Sequence, residues 1–366
     1  GLVDPAALVD ATELAGEVGE VSPAEAAPHS LCGVLRGVRL LLDDPASLLD
    51  GADETMLEDE MALNSKRTKV MSSYAPQRLH RCLFDPEQAW TQDRFDPLFW
   101  AARQAGTEEA LKGLVREEAW DVYSLPFFTA DFCDMFIEEI YNFYASGLPA
   151  RRPNSMNNYG VVVNEIGMEQ ALDRLQQEFL LPVARALFKG AGSYFDGHHS
   201  FIVRYKVGED LGLDLHTDDS DVTFNICLGK DFRGAGLRFC GNQGSAHHRH
   251  ASALYFHEKG RCVVHLGHRR HGADDITEGE RLNLIIWNKN SEYRRSKAYM
   301  RYNMQARDTG YERESGPPDK VCLSYTHDRD YGVFADYTAK TQTSQGRGWC
   351  PPKHAEYEGF REEVAA

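Results

Sequence analysis

The sequence predicts an α+β fold in which amphipathic N-terminal helices buttress one outer face of a double-sheet jelly roll. Two observations carry this. From about Ser200 the hydrophobic period changes from helical to alternating, and seven short alternating segments follow, joined by Gly-rich and polar turns. Upstream, apolar residues recur along single helical stripes, so the helices have a face to bury against the sheets. The chain divides into an acidic, partly flexible region over 1–105, a domain over 106–290 (helical support 106–190, jelly roll 198–290) and a C-terminal extension over 291–366.

Residues 1 to about 65 are rich in Ala, Asp, Glu and Gly, with Leu31–Leu42 apolar enough for one short packed element. Lys66-Arg67-Thr68-Lys69 interrupts the acidity and reads as a solvated run, with a partner contact as the alternative. Thr107 caps a helix that opens with Glu108 and Glu109 and continues through Leu111, Leu114 and Val115. Thr129 caps a second, whose stripe is Phe132, Met135, Phe136, Ile140 and Phe143; Gly147 stops it, and Glu139 is expected at the edge of the stripe, meeting solvent. A third helix over about Glu169–Leu187 carries Leu172, Leu175, Phe179 and Val183, with a kink at Pro182.

Strands are expected near 200–206, 211–216, 221–228, 236–240, 252–257, 261–266 and 281–287. Gly241–His250 interrupts them; its His247-His248-Arg249-His250 cluster reads as exposed, with metal binding as the alternative. The tail from Asn288 has no clear period, and Gly346–Pro352 reads as an ordered turn. There is no internal repeat.

The most informative residues are His216-Thr217-Asp218, His271-Gly272 and Arg281, ten positions beyond the second histidine. Two imidazoles and one carboxylate fit a facial iron(II) site with open coordination positions. Residues i and i+2 of an extended segment project to one side, so His216 and Asp218 can reach one ion from a strand end. Leu211, Leu213 and Leu215 then form an apolar face opposite the ligands. The third ligand must come from another strand, and 53 positions (271 − 218) leave room for several. His265, His268 and His271 recur every three residues; strand residues three apart alternate faces, so all three are not expected on one ion. The spacing to Arg281 selects His271, leaving His265 and His268 as strand-end and loop residues. Arg281 should share its face with Asn283 and Ile285, away from Leu282, Leu284 and Ile286, and supplies a fixed cation for a dicarboxylate co-substrate.

This constellation resembles the 2-oxoglutarate and iron(II)-dependent dioxygenases. Phe201–Lys206, Val222–Gly229 and Gly234–Phe239 follow in the order of the prolyl and lysyl hydroxylase branch. Val122–Phe128 and Arg152–Gly160 resemble, more narrowly, the family of 2-oxoglutarate and iron-dependent oxygenase domain-containing protein 2, over about Val122–Trp287. The resemblance implies a double-stranded β-helix core, Fe(2+) on His216, Asp218 and His271, and the distal carboxylate of 2-oxoglutarate on Arg281. It implies Tyr205 and Asn225 as secondary co-substrate contacts, for which ordinary strand packing is the alternative. It further implies dioxygen as oxidant, ascorbate as an accessory, succinate and CO2 as co-products, and hydroxylation of a protein or peptide side chain, lysine or proline. Oxidative nucleic-acid demethylases on the same scaffold carry a second arginine six positions after the first; here that position is Trp287. The chain departs from its resembling family in two places. Asp219, Ser220 and Asp221 extend an acidic run beside the ligands, either a solvated loop or a device tuning metal affinity. After Trp287, the expected clustered cysteines are missing and Arg294, Arg295 and Lys297 stand there instead. A non-catalytic sensor that binds iron and 2-oxoglutarate is the reading outside enzymology.

Composition narrows the partners. Fifty-six acidic against forty basic residues give a formal charge of −16, which disfavours tight contact with nucleic acid or an anionic membrane and favours a neutral or basic partner, with solubility as the plainer explanation of the charge. No run approaches 18 apolar residues, and the start does not read as a signal peptide, although Gly1 in place of Met leaves a trimmed start open. Eight cysteines show no CxxC pair; Cys227, Cys240 and Cys262 fall in expected strands as buried thiols, which suits a reducing compartment, cytoplasmic or nuclear.

Overall fold

A computed structural model describes residues 52–300 apart from 155, 243–252 and 298. The segments Leu31–Leu42, His247–His250 and Gly346–Pro352 lie outside the described residues. The chain forms two compact units, Gly1–Ala62 and Leu63–Ala366, and the site belongs to the second.

The helices are α1 (Ala52–Tyr74), α2 (Pro97–Ala105), α3 (Glu108–Leu114), α4 (Ala130–Ala145), α5 (Glu169–Leu175), α6 (Leu181–Leu187) and the short α7 (Ser291–Arg295). Two caps form where the sequence places them: Thr107 Oγ1 accepts from the Ala110 amide at 3.2 Å and Thr129 Oγ1 from the Phe132 amide at 3.4 Å. Between α5 and α6 the chain widens into a π turn, Gln176–Leu180. Pro182 has no N–H for the carbonyl of Glu178, four residues back, and that oxygen accepts from Arg103 Nε at 2.5 Å instead. The expected kink is therefore a π turn with a side-chain donor closing the gap. None of the described helices is long and apolar enough to cross a membrane.

Twelve strands are described: β1 (Arg116–Ala119), β2 (Val122–Pro126), β3 (Gly160–Val162), β4 (Gly197–Lys206), β5 (Leu213–His216), β6 (Val222–Gly229), β7 (Phe232–Gly234), β8 (Leu237–Asn242), β9 (Ala253–Tyr255), β10 (Arg261–Leu266), β11 (Arg269–Ala273) and β12 (Ile276–Lys289). A larger antiparallel sheet runs β1-β2-β10-β6-β12-β4-β3, with β7 added on β12, and a smaller one runs β5-β11-β8-β9. Each strand of the larger sheet has two faces with different tasks. Ile226 and Leu228 of β6 and Leu282, Leu284 and Ile286 of β12 join Phe132, Phe136, Ile140 and Phe143 of α4 in the main core, each large buried side chain contributing about 1.5–3 kcal/mol. The opposite face meets the smaller sheet: Phe201, Val203 and Ile285 pack with Ala273, and Val263 with Leu237 and Phe239. The cavity between these inner faces holds the site.

One expectation is corrected. Glu139 does not meet solvent; it is fully buried, where its carboxylate accepts from the Tyr74 hydroxyl and from the His80 amide at 2.6 Å. The covering residues come from α1 and the turn after it, which no stripe on α4 could reveal. The region before 105, expected to be acidic and partly flexible, also supplies core residues. Tyr74, Leu83, Phe84, Trp90, Phe95 and Phe99 belong to the main core, and Trp90 Nε1 donates to the Ala171 carbonyl at 2.5 Å. Isolated aromatics in polar sequence carry no period, so their burial is invisible until the partner helix is in place.

Candidate active site

His216 ends β5 and His271 lies in the middle of β11, and the two residues face each other as a cross-strand pair. The third ligand was expected from another strand, and β11 is that strand, although Arg269-Arg270-His271 offers no apolar alternation to mark its bounds in the sequence. Between this pair and the next, Ala273 opposite Leu213, β5 carries one residue more than β11. The resulting bulge turns Leu213 and His216 to the same cavity, so Leu213 does not lie on the face opposite the ligand as alternation implied. Asp218 follows in the loop, anchored by its amide on the Gly267 carbonyl at 2.9 Å. A Cβ at Gly267 would come within 1.8 Å of the Ser220 carbonyl, so only glycine lets the β10–β11 turn lie against this loop.

The three side chains converge. Asp218 Oδ1 lies 3.5 Å from His216 Nε2 and 3.6 Å from His271 Nε2, and one ligand atom from each residue falls within 4.8 Å of the others. Two further contacts orient them. His271 Nδ1 is 2.9 Å from the Arg269 carbonyl, which assigns the proton to Nδ1 and leaves the Nε2 lone pair for an ion. Thr223 Oγ1 donates to Asp218 Oδ2 at 2.7 Å, leaving Oδ1 toward the imidazoles. Burial pushes the His271 pKa down to about 3, so the ring is a neutral imidazole, the form that ligates. Burial works against the Asp218 carboxylate, but the surrounding imidazoles of His271, His216 and His265 outweigh it and hold its pKa below the usual carboxylate range. Among the described residues this is the one group of His, Cys, Asp and Glu arranged to hold a metal ion, and its donor set fits iron(II).

Arg281 stands on the wall of the same cavity, with Tyr205, Asn225, Leu213 and Ile285. It lies directly opposite Tyr205 across β12 and β4, its guanidinium 4.7 Å from the Tyr205 ring centre. It is 2 % exposed. One Nη donates to the Ala235 carbonyl, its Nε has no partner, and no carboxylate among the described residues pairs with it. A buried cation without a counter-ion is costly. Its position calls for an anion from outside the chain. Tyr205 is held by Asn157, whose Nδ2 donates to its hydroxyl at 3.3 Å; Asn225 Oδ1 accepts from Asn283 Nδ2 at 2.5 Å.

All six sequence-selected residues, His216, Asp218, His271, Arg281, Tyr205 and Asn225, thus line one cavity. Sequence reasoning missed Thr223, Asn154 and Asn157, which line it too. The alternation on β6 could have found Thr223, which shares its face with Asn225. His265 lies near the end of β10 and outside the convergent set, as expected, and it is also a fully buried neighbour of that set, its ring centre 4.5 Å from that of His271 and its Nε2 3.9 Å from Asp218 Oδ2. A turn at Gly267-His268 separates β10 from β11, so the rings of His265 and His271 meet from two strands of different sheets. The acidic run is clamped from the end of β12 and from α7: Asp219 pairs with Lys289 at 2.9 Å and Arg294 at 3.0 Å, and buried Asp221 takes Arg294 Nε at 2.9 Å. A wider groove, bordered by Arg151, Arg152, His199 and Met156, reaches the ligands past His216 and Trp287.

Two imidazoles and a carboxylate at one part of a cavity, with a buried unpaired cation on its wall, form the donor set of a protein that takes a divalent metal together with a small anion. Relatives agree with that class. The chain is 36 % identical over 247 residues to 2-oxoglutarate and iron-dependent oxygenase domain-containing protein ICU11 of Arabidopsis thaliana, covering 64 % of this chain and 60 % of that one. It is 35 % identical over 240 residues to 2-oxoglutarate and iron-dependent oxygenase domain-containing protein 2 of Mus musculus, covering 63 % and 67 %. An OGFOD2-like domain model matches residues 70–193, the segment that precedes β4. The chain belongs to the family of 2-oxoglutarate and iron-dependent oxygenase domain-containing protein 2. It also matches procollagen-lysine,2-oxoglutarate 5-dioxygenase 1 of Homo sapiens at 30 % identity over 174 residues, 44 % of this chain and 23 % of that one. It spans about 60 % of the length of its Arabidopsis relative.

Proposed function

We propose that this protein is an iron(II)- and 2-oxoglutarate-dependent dioxygenase that hydroxylates a lysine or proline side chain of a protein, with release of succinate and CO2. The catalytic unit in this reading is residues 106–290, a double-stranded β-helix with helical support, and the two facing antiparallel sheets support it. The observation that carries the proposal is Arg281: a buried arginine with no carboxylate partner, on the wall of the cavity that holds His216, Asp218 and His271. An arginine fork suits a carboxylate held bidentately, and 2-oxoglutarate offers one at the end distant from its metal-chelating oxo acid. Tyr205 and Asn225 serve the same co-substrate.

Iron(II) held by His216, Asp218 and His271 supplies oxygen activation, with ascorbate as an accessory reductant. The chain's own residues do the rest. Thr223 and the Arg269 carbonyl fix the ligand side chains, Arg281 fixes the co-substrate, and Leu213, Phe201, Val203 and Ile285 keep water from the cavity. The groove past His216 and Trp287 is where the substrate side chain enters. The relative named for procollagen lysine supports a protein substrate. So does Trp287, which stands where nucleic-acid demethylases carry a second arginine.

The test measures succinate after anaerobic loading with iron(II) and admission of air, with lysine- and proline-containing peptide libraries and, in parallel, methylated oligonucleotides. Stimulation by peptides is expected. Stimulation by oligonucleotides alone moves the protein to nucleic-acid demethylation, and binding of iron and 2-oxoglutarate without succinate from any substrate moves it to a sensor.

A further inference from the structure

A buried hydrogen-bonded chain stands behind the Arg281 wall of the cavity. Asn283 follows Arg281 by two residues on β12 and faces the same way. Its Nδ2 is 2.5 Å from Asn225 Oδ1 and 3.3 Å from His257 Nδ1. All three residues are buried, at 1 %, 7 % and 8 % exposure for Asn283, Asn225 and His257.

The direction of each bond follows from the inventory of donors. An amide nitrogen has two protons and no acceptor site, so Asn283 donates to both neighbours. His257 must then accept at Nδ1 and carry its proton on Nε2. Burial first, and the Arg281 charge second, lower the His257 pKa well below its ordinary value, which keeps the ring neutral and able to accept. Asn225 has committed its oxygen to Asn283, so its NH2 is the end left for the cavity, and nothing among the described residues accepts from it. Without Asn283 the Asn225 amide could turn over at little cost and present oxygen, which repels a carboxylate. The arrangement is not the cheapest packing: Asn283 Oδ1 and His257 Nε2 are buried without partners, a cost a purely structural wall would shed by using apolar residues.

We propose that His257 and Asn283 are positioning residues that lock the Asn225 carboxamide with its NH2 toward the cavity, as a second donor beside Arg281 to the distal carboxylate of 2-oxoglutarate. This rests on the assignment of 2-oxoglutarate to the cavity made above. It predicts discrimination as well as affinity, since a donor aimed at one carboxylate matters only to a ligand that has it.

The experiment titrates the iron-loaded, oxygen-free protein by calorimetry with 2-oxoglutarate and with 2-oxopentanoate, which has a methyl group in place of the distal carboxylate. Asn283→Leu is expected to weaken 2-oxoglutarate about tenfold, the scale of one hydrogen bond to a charged group. Its 2-oxopentanoate affinity should stay within about twofold and its iron stoichiometry should be unchanged, since nothing removed touches either. His257→Leu should act in the same direction. Asn225→Ala combined with Asn283→Leu should be no weaker than Asn225→Ala alone, because Asn283 acts through Asn225. Equal losses for both oxo acids, or additive losses in the double variant, overturn the relay. A wild-type protein that loads iron but binds 2-oxoglutarate no better than 2-oxopentanoate instead overturns the parent assignment, and the relay with it.

Discussion

Replacing Arg281 should move ligand affinity and ligand-free stability in opposite directions. The residue is 2 % exposed, bonds one backbone carbonyl and has no carboxylate partner among the described residues. Arg281→Lys keeps the charge but turns a two-pronged fork into a point donor, losing one charge-assisted bond of about 1.5–3 kcal/mol, or roughly 10- to 150-fold in 2-oxoglutarate affinity. Arg281→Leu loses both prongs, and measurable binding with them. In the ligand-free protein the balance differs, because leucine removes a buried charge with no carboxylate partner, against the loss of the Ala235 carbonyl's donor, a penalty of about 1–3 kcal/mol, and of the guanidinium contact with Tyr205. The ligand-free leucine variant should therefore melt close to or above wild type. With 2-oxoglutarate at a hundred times its Kd, wild type gains about 2.7 kcal/mol, or about 5–11 °C at roughly 2–4 °C per kcal/mol. The leucine variant should gain nothing. Thermal denaturation with anaerobic iron(II), with and without 2-oxoglutarate, reads both numbers. A leucine variant that melts far below wild type and still shows the ligand shift would refute the reasoning, since Arg281 would then be a structural cation and another group would hold the carboxylate.

His271→Ala should abolish iron retention whereas His268→Ala should largely preserve it, because only His271 joins the convergent set; elemental analysis of both after desalting decides, and the reverse pattern sinks the assignment. Thr223→Val removes the 2.7 Å donor to Asp218 Oδ2 without touching a ligand, and should weaken iron by about 10- to 100-fold in a chelator competition. Glu139→Ala leaves the part-buried His80 amide without its acceptor, while the Tyr74 hydroxyl keeps the residue-139 backbone carbonyl and Asn142, and should cost about 1–3 kcal/mol in urea unfolding, the scale of one orphaned group. Metal-free stability should fall on acidification. His271 has its folded pKa lowered to about 3 while the unfolded chain takes up a proton near 6.5, so stability present above about pH 6.5 is lost progressively down to about pH 3. Urea midpoints at pH 7 and 5 measure this, and an equal drop in His271→Asn would show that other groups are responsible.

The inner and outer faces of β12 were legible in the sequence because a strand has a period of two whatever it packs against: Arg281, Asn283 and Ile285 were placed on one side and Leu282, Leu284 and Ile286 on the other before any partner was known. The caps at Thr107 and Thr129 were legible for the same reason, since the donors they satisfy lie two or three residues away. The convergent group of His216, Asp218 and His271 was legible through residue type and spacing. What the sequence could not determine lies in contacts between distant segments. Glu139 is buried by residues near Tyr74, His265 joins His271 through a turn, Leu213 faces the cavity through a bulge, and the acidic run is held by Arg294. Each depends on which surface another part of the chain covers, and periodicity records only that a face is apolar or polar. Tertiary structure decides what covers it, and so whether a carboxylate, an imidazole or an amide is solvated, buried as a scaffold or aimed into the site.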